Sequence, residues 1–174
     1  MTAELGRALL DEARERLVVG FPAQVLECLT ALRDEQIWWR ANDKSNSVGN
    51  LVLHVCGSSR HFLGRGLGGS DYRRDRPAEF AEHGPLPKDE LMRLVRETAE
   101  ETGRVLAALD PTRLLEVSDR AGEPFTALVL VQRTSHHWAV HTGQIVFATK
   151  MLVADAVNEL WYRTMGPSVG GQRK

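Results

Sequence analysis

The sequence has few cysteines, no long apolar run and almost no net charge, and each absence excludes a class of protein. Cys28 and Cys56 are the two cysteines among 174 residues. They are too few for a disulfide framework, so a reducing cytoplasm is expected. No apolar run approaches the roughly 20 residues of a membrane-spanning helix, and the first residues lack the apolar core of a signal peptide. Lysine and arginine number 22 against 23 aspartates and glutamates, a net charge of −1, which argues against broad nucleic-acid binding.

The remaining composition is typical of one globular domain. Hydrophobic residues make up 43% and charged residues 26% of the chain, and this length suits one domain over residues 1–174 with its own core. Apolar residues at helical spacing predict four long helices, approximately 5–34, 47–65, 88–109 and 124–152. The first either continues through Pro22 as one kinked helix or divides there into two abutting helices. Ser47 is the predicted N-cap of the second helix.

The segments between these helices differ in length and in turn content. Residues 64–87 contain five glycines and three prolines, which predicts a long crossover with short helical turns. Residues 113–124 are expected to be irregular, with an extended pair around the turn at Ala121 and Gly122. A frayed tail is expected at 161–174. Four long helices with one long crossover predict an all-α four-helix bundle.

The most informative segment is the last predicted helix, in which His137 and His141 are separated by one turn. On a helix their side chains project from one face, near enough to share one metal ion. Following that face at alternating four- and three-residue spacing predicts a buried stripe, composed of Leu130, Thr134, His137, His141, Gln144, Ala148 and Met151. Burying its polar groups unpaired would cost roughly a few kcal/mol, and a metal ion is the simplest way to satisfy them.

A third histidine is expected on a neighbouring helix, and His54 fits best because it lies mid-helix on an apolar stripe. Three neutral imidazoles with an open position are typical of catalytic rather than structural sites, and imidazole suits zinc, nickel, copper or iron. His136 points about 100° away from His137 and should lie outside the cluster. His61 is either a residue that supports the site or a surface residue. The alternative interpretation is that the histidine pair is ordinary, either solvated or satisfied within the core.

Arginines and tryptophans are the other conspicuous residues. One basic patch is composed of Arg60, Arg65, Arg73, Arg74 and Arg76. It is either a solvated loop or a rim that attracts an anionic substrate or partner. The tryptophans are predicted to pack in the core or at an interface, and they are Trp38, Trp39, Trp138 and Trp161. Because the final helix also has two apolar stripes, more apolar surface is present than one bundle needs, which predicts a two-fold homodimer.

Four blocks of the chain together resemble a subgroup of the DinB-like superfamily. They are Trp38-Trp39-Arg40, the segment 46–54 that ends at His54, the segment 74–80, and the segment 137–145. The likeness runs from about residue 21 to residue 152. The superfamily also includes thiol-dependent transferases that act with bacillithiol or mycothiol.

The resemblance implies an up-down-down-up four-helix bundle, commonly a homodimer, with a divalent metal ion on His54, His137 and His141. Zinc and nickel are the ions expected. The leading hypothesis is a metal-dependent enzyme, a thiol S-transferase or a hydrolase, that acts on a small-molecule thiol or electrophile. The alternative is a non-catalytic metal-binding or stress-response dimer. The sequence assigns no general base, although Glu79 beside the crossover could reach the mouth of the site.

Overall fold

The computed structural model describes residues 2–84 and 86–164, and four long helices dominate this part of the chain. The first bundle helix comprises the α-helical Ala3–Arg14, the π-helical Glu15–Gly20 and the α-helical Phe21–Ala31. The second comprises Val48–Ser59 and a π-helical continuation, Arg60–Arg65; the third is Lys88–Ala108 and the fourth is Ala127–Leu152. Shorter helices cover Asp34–Ile37, Arg76–Ala81 and Leu160–Thr164, and two short antiparallel strands are Val117–Ser118 and Phe125–Thr126.

Neighbouring residues give the directions of the helices, and they are up, down, down, up in chain order. The first helix packs against the third and fourth, and so does the second. Nζ of Lys88, at the start of the third helix, donates to the carbonyl of Thr30, at the end of the first, at 3.4 Å. Farther along, Gly103 faces Val18. The first and third helices are therefore antiparallel.

Equivalent pairs fix the second helix relative to the other two. The second and third helices are parallel, because Gly64 lies against Glu101 and, farther along both helices, Gly68 lies against Val105. The second and fourth helices are antiparallel, because Ser59 contacts Trp138 whereas the later residue Gly66 contacts the earlier residue Leu130. The predicted up-down-down-up bundle is confirmed, and its long crossover joins the second helix to the third.

Continuity through Pro22 settles the choice left open for the first helix. The backbone stays helical at Arg14 and Phe21, the residues that flank the π-helical stretch. The amide of Phe21 donates to the carbonyl of Arg16, five residues earlier. Proline has no backbone N–H to donate to the carbonyl four residues earlier. The wider π-helical turn just before Pro22 accommodates the missing hydrogen bond. The first helix is one element, and it ends at Ala31 rather than at the predicted residue 34.

Local hydrogen bonds explain where the second and fourth helices begin. Oγ of Ser47 accepts from the amide of Asn50 at 3.1 Å, so the predicted N-cap is confirmed. The fourth helix begins at Ala127 rather than at the predicted residue 124, because Phe125 and Thr126 pair with the preceding strand. Oγ1 of Thr126 then caps the helix. The predicted tail falls mainly on residues 165–174, which lie outside the described residues.

The buried face of the fourth helix differs from the predicted stripe. Its buried residues are Ala127, Leu130, Val131, Thr134, Trp138, Thr142, Ile145 and Thr149. Gln144 is exposed, and Met151 is 65% exposed. Threonine is buried at little cost in a helix when its hydroxyl bonds to the carbonyl four residues earlier, as Oγ1 of Thr149 does to Ile145 at 2.8 Å. His137 and His141 consequently lie at the edge of the packed face and are only half-buried.

The tryptophans divide between the core and the surface. Trp138 is fully buried at the centre of the bundle. The ring of Trp38 covers Gly49, where a Cβ would lie 2.7 Å from the ring atoms. Trp39 is 41% exposed, while the side chain of Trp161 lies outside the described residues. Within residues 2–84 and 86–164, no helix combines the length and the apolar character needed to cross a membrane.

Candidate metal centre

Three histidines converge between the second and fourth helices. Nε2 of His137 lies 2.9 Å from Nε2 of His54 and 3.1 Å from Nε2 of His141. The candidate ligand atoms of the three residues all lie within 4.8 Å of one another. Atoms bound to one zinc ion at about 2.0–2.1 Å are themselves about 3–4 Å apart. The cluster therefore has the dimensions of a mononuclear metal site.

Glu79 holds the ring of His54 from the side opposite the cluster. Its Oε2 lies 2.8 Å from Nδ1 of His54, and both groups are buried. Nε and Nη2 of Arg74 donate to the two carboxylate oxygens of Glu79 at 2.7 and 2.8 Å. Burial alone would raise the pKa of the Glu79 carboxyl. The hydrogen bonds from His54 and Arg74, with the charge of Arg74, outweigh it and hold the pKa below its usual value.

The crossover that carries Glu79 is fixed to the second helix. Nδ2 of Asn50 donates to the carbonyls of Glu79 and Glu82 at 3.0 and 2.8 Å, and Arg40 donates to Oδ1 of Asn50. Gly57 provides the space for the carboxylate, since a Cβ there would lie 2.2 Å from Oε1 of Glu79. Glu79 is thus positioned by backbone anchors as well as by its own charge.

Hydrogen bonds at the far nitrogens assign the histidine tautomers. Oε2 of Glu79 is an acceptor 2.8 Å from Nδ1 of His54, and Nη2 of Arg74 lies 3.0 Å from the same nitrogen. A proton on Nδ1, shared with the carboxylate, leaves a lone pair on Nε2. Oε1 of Gln144 lies 2.7 Å from Nδ1 of His141, and it likewise accepts a proton and directs the Nε2 lone pair of His141 inward. Two lone pairs therefore face Nε2 of His137.

His137 cannot satisfy both neighbours in either neutral tautomer. If its Nε2 carries the proton, it donates to one lone pair and leaves the other unpaired. If Nδ1 carries the proton, three lone pairs meet, and Nδ1 itself is buried without a hydrogen-bond partner. Burial, followed by the charges of His141 and His54, lowers the pKa of His137 to about 3, so protonation does not solve the problem near neutral pH. A cation among the three nitrogens would solve it, so the donor set fits a metal ion.

A cavity of about 560 Å³ opens from the cluster to the surface. His54 and His137 form part of its wall, with Phe62 and the exposed Val140 on its apolar side. His136 also lines this cavity, although it lies outside the cluster as predicted. A ligand in the cavity would have direct access to the imidazoles of His54 and His137.

The other predicted candidates lie away from the cluster. Nε2 of His61 lies 3.0 Å from the carbonyl of Ala121, so this ring braces the second helix against the turn between the two strands. His83 is exposed in the crossover. Cys28 and Cys56 are unpaired and buried, and burial raises the pKa of Cys56 to about 12. Such a thiol is a core residue rather than a ligand or a nucleophile.

The fold divides the predicted basic patch into separate parts. Arg60 forms an ion pair with Glu101 on the third helix. Arg74 neutralises Glu79, as described above. Arg74 and Arg76 line the cavity beside the histidines, and sequence reasoning missed a further cation there, the exposed Arg133 of the fourth helix. Its one-turn spacing from His137 was the signal that could have indicated it.

Comparison with solved structures establishes the fold. A DinB-like protein from Bacillus cereus ATCC 10987 is 15% identical, with a TM-score of 0.62 over 76% of this chain and 86% of that chain. The DinB-like protein YjoA from Bacillus subtilis is 18% identical, with a TM-score of 0.62 over 82% of this chain and 92% of that chain. A conserved protein from Enterococcus faecalis is 18% identical, with a TM-score of 0.58 over 88% and 98% of the respective chains.

Sequence comparison assigns the family. No match was found among the curated proteins. Residues 4–162 match the family described as "Protein of unknown function (DUF1572)". This match includes all four bundle helices and every residue of the histidine cluster. The chain therefore belongs to the DUF1572 family and has the DinB-like fold.

Proposed function

We propose that His54, His137 and His141 bind one divalent metal ion, zinc or nickel, and that the protein is a metal-dependent enzyme. The reaction would be thiol S-transfer or hydrolysis, with a small-molecule thiol or electrophile as substrate. The observation that carries the proposal is the convergence of three imidazole nitrogens, with two of the rings, His54 and His137, in the wall of an open cavity.

The residues behind the cluster support this role. Metal-bound histidines generally donate their other ring N–H to a carboxylate or carbonyl, which fixes the ring and raises its basicity. Glu79 would do so for His54, and Gln144 would do so for His141. Both contacts use the ring nitrogens that face away from the cluster, so they orient the two rings for an ion.

The chemistry follows from three neutral ligands and an open position. The ion, when bound, would lower the pKa of a thiol or a water molecule so that a nucleophile is available near neutral pH. The chain's own contribution is to bind and orient. The cavity gives a substrate access to the cluster, while Phe62 and Val140 offer an apolar wall to its carbon skeleton. The buried carboxylate of Glu79 binds Nδ1 of His54 and directs its Nε2 toward the same point.

A non-catalytic metal-binding or stress-response dimer is the alternative function. A purely structural zinc site has four protein ligands and is closed to solvent. The open cavity beside this three-histidine cluster favours the enzyme, and it is the feature that separates the two functions.

We also propose a two-fold homodimer that packs through the fourth helix. Val140, Phe147 and Met151 are 57%, 68% and 65% exposed, and their spacing places them along one side of that helix. A monomeric protein seldom leaves such a stripe uncovered.

The two unpaired cysteines are consistent with a reducing, cytoplasmic location.

Metal analysis of protein purified without an affinity tag, followed by a screen of thiols against electrophiles, tests the proposed function. We expect about one divalent ion per chain in the native protein, together with a metal-dependent reaction. Both should be lost in His141→Ala. Full metal binding without any reaction across the screen would favour the non-catalytic alternative. Unchanged metal content after His54→Ala, His137→Ala and His141→Ala would refute the site.

A further inference from the structure

Two guanidinium groups flank the cavity, and aromatic rings hold both of them. The guanidinium carbon of Arg76 lies 5.1 Å from the ring centroid of Phe80. That of Arg133 lies 4.7 Å from the centroid of Phe125 and 5.1 Å from that of Phe62. An arginine stacked in this way uses its flat face and keeps the N–H groups at its edge free to donate. Each cation is therefore positioned while its donors remain available.

Among the described residues, no carboxylate pairs with these two cations. Within residues 2–84 and 86–164, neither Arg76 nor Arg133 forms an ion pair. The described residues that line the cavity include no aspartate or glutamate. Glu79, the acid that contacts His54, is already neutralised by Arg74. The cavity thus carries uncompensated positive charge next to the imidazoles of His54 and His137.

The cations are also connected to the cluster through packed rings. The Phe80 ring that supports Arg76 lies 4.7 Å from the ring of His54. Phe62, which supports Arg133, belongs to the same cavity wall as His54 and His137. A volume of about 560 Å³ lies within the range of small-molecule sites. One small molecule could therefore contact the imidazoles and the arginines together.

We propose that the cavity selects a small organic anion, a thiol that carries a carboxylate, and that Arg76 and Arg133 bind the carboxylate while the sulfur faces the histidines. This inference rests on the proposed function for the role of the histidines. The arginine contacts stand independently, because they depend on the stacked guanidiniums and not on an ion. Charge-assisted hydrogen bonds at this carboxylate should be worth about tenfold or more in affinity.

A matched pair of thiols tests the selection in cobalt(II)-loaded protein, whose absorption changes when a thiolate joins the ion. 3-Mercaptopropionate and 3-mercapto-1-propanol are similar in size and differ in charge. We expect the acid to bind about tenfold or more tightly than the alcohol. The double variant Arg76→Gln with Arg133→Gln should lose this preference while its affinity for the alcohol stays unchanged. Arg73→Gln is the control, because Arg73 is exposed on the same segment and lines a separate cavity.

A second measurement keeps the inference distinguishable from the proposed function. In metal-free protein, propionate and 1-propanol are titrated while the arginine side-chain NMR signals are followed. We expect propionate to shift the Arg76 and Arg133 signals and 1-propanol to leave them unchanged, with no response in the double variant.

The two measurements separate the possible failures. A protein that binds no cobalt but still shows the propionate response would refute the proposed function and retain the anion site. Equal affinity of the wild-type protein for the two thiols would overturn the inference even with cobalt bound. A preference that survives in the double variant would overturn it as well.

Discussion

The carboxylate of Glu79 lies 2.8 Å from Nδ1 of His54, although the two residues belong to different elements separated by 25 positions. Glu79 belongs to the crossover and His54 to the second helix. Arg74 binds the same carboxylate from the crossover, so a buried carboxylate and a half-buried guanidinium lie behind one candidate ligand. This arrangement makes the crossover part of the proposed metal site.

Replacing Glu79 with glutamine should weaken metal binding without removing a ligand. The amide is a weaker acceptor for Nδ1–H of His54, so the imidazole becomes less basic and less firmly oriented. We expect a loss of about 10–100-fold in metal affinity, measured by competition with a chromophoric chelator. Glu82→Gln is the control, because within the described part of the chain the Glu82 side chain accepts from the neighbouring amide of His83 and does not contact the cluster. Equal affinities for Glu79→Gln and the native protein would mean that the carboxylate does not support the site.

Adding one methyl group at Gly57 should displace the Glu79 carboxylate by steric contact. A Cβ there would lie 2.2 Å from Oε1 of Glu79, so Gly57→Ala must displace the carboxylate from His54. We expect a lower metal affinity although every candidate ligand is retained. Gly143→Ala is a matched control in the fourth helix, where a Cβ would meet nothing within 4 Å. That change should instead raise the free energy of unfolding by about 0.5–1 kcal/mol, so an equal loss of metal in both variants would contradict the argument.

Two adjacent histidines should respond very differently to substitution. His137→Ala removes a member of the cluster, whereas His136→Ala alters a residue that lies outside it. At about 100 times Kd, bound metal should add about 2.7 kcal/mol to the free energy of unfolding. Thermal unfolding with and without added zinc should therefore show a metal-dependent rise in Tm for His136→Ala and none for His137→Ala. Equal damage in the two variants would show that His136 also holds the ion.

The metal-free protein should become less stable as the pH falls below about 6.5. Burial lowers the pKa of His137 from 6.5 to about 3, so between these values the unfolded chain binds a proton that the folded chain excludes. The free energy of unfolding then falls on acidification. Glu79 adds a loss of the same sign at lower pH, because its pKa is lowered in the folded protein. The free energy of unfolding can be measured by denaturant titration at about pH 7.5, 6 and 5. It should change less with pH in His137→Gln than in the native protein.

The proposed homodimer depends on the exposed side of the fourth helix. Phe147 is 68% exposed there, and a carboxylate in its place would be buried without a partner in any apolar interface. Light scattering at micromolar concentration should give a dimer mass for the native protein and a monomer mass for Phe147→Asp. Leu115→Asp is a comparison, since Leu115 is 56% exposed outside that helix. A monomeric native protein would remove the proposal.

Much of the helical framework could be predicted from the sequence because the apolar spacing is regular. The N-cap at Ser47 and the short strand pair around Gly122 were also predicted correctly. The prediction of the three histidines combined a local spacing, His137 with His141, and the position of His54 in the middle of an apolar helical stripe; the family resemblance implied the same three residues. Helical periodicity indicates which residues share a face, and this was sufficient for the pair within one helix.

Which face of the fourth helix packs inward could not be decided from spacing alone. The predicted stripe included Gln144 and Met151, and both are exposed. The bundle instead buries the large ring of Trp138 and several threonines, among them Thr134, whose hydroxyl bonds to the carbonyl of Leu130. The helix has apolar residues on two sides, and only packing against its neighbours selects one of them.

The parts of the site contributed by the crossover were beyond sequence reasoning for a different reason. Glu79 was recognised as a residue near the mouth of the site, but its pairing with His54 and Arg74 depends on the path of an irregular segment. Such a path is determined by tertiary anchors, such as the bonds from Asn50 to the crossover carbonyls, and these leave no periodic pattern. The two π-helical stretches could not be predicted either, because the apolar residues continue through them without a break.

The separation of the cluster along the chain has a consequence for folding. His54 and His137 are 83 positions apart, and His141 lies still later in the sequence. During synthesis, the second helix and the crossover with Glu79 emerge well before the fourth helix. Closing so long a loop is a late and costly event. Metal capture would therefore coincide with docking of the fourth helix, and a chain interrupted before His137 would bind no ion at this site.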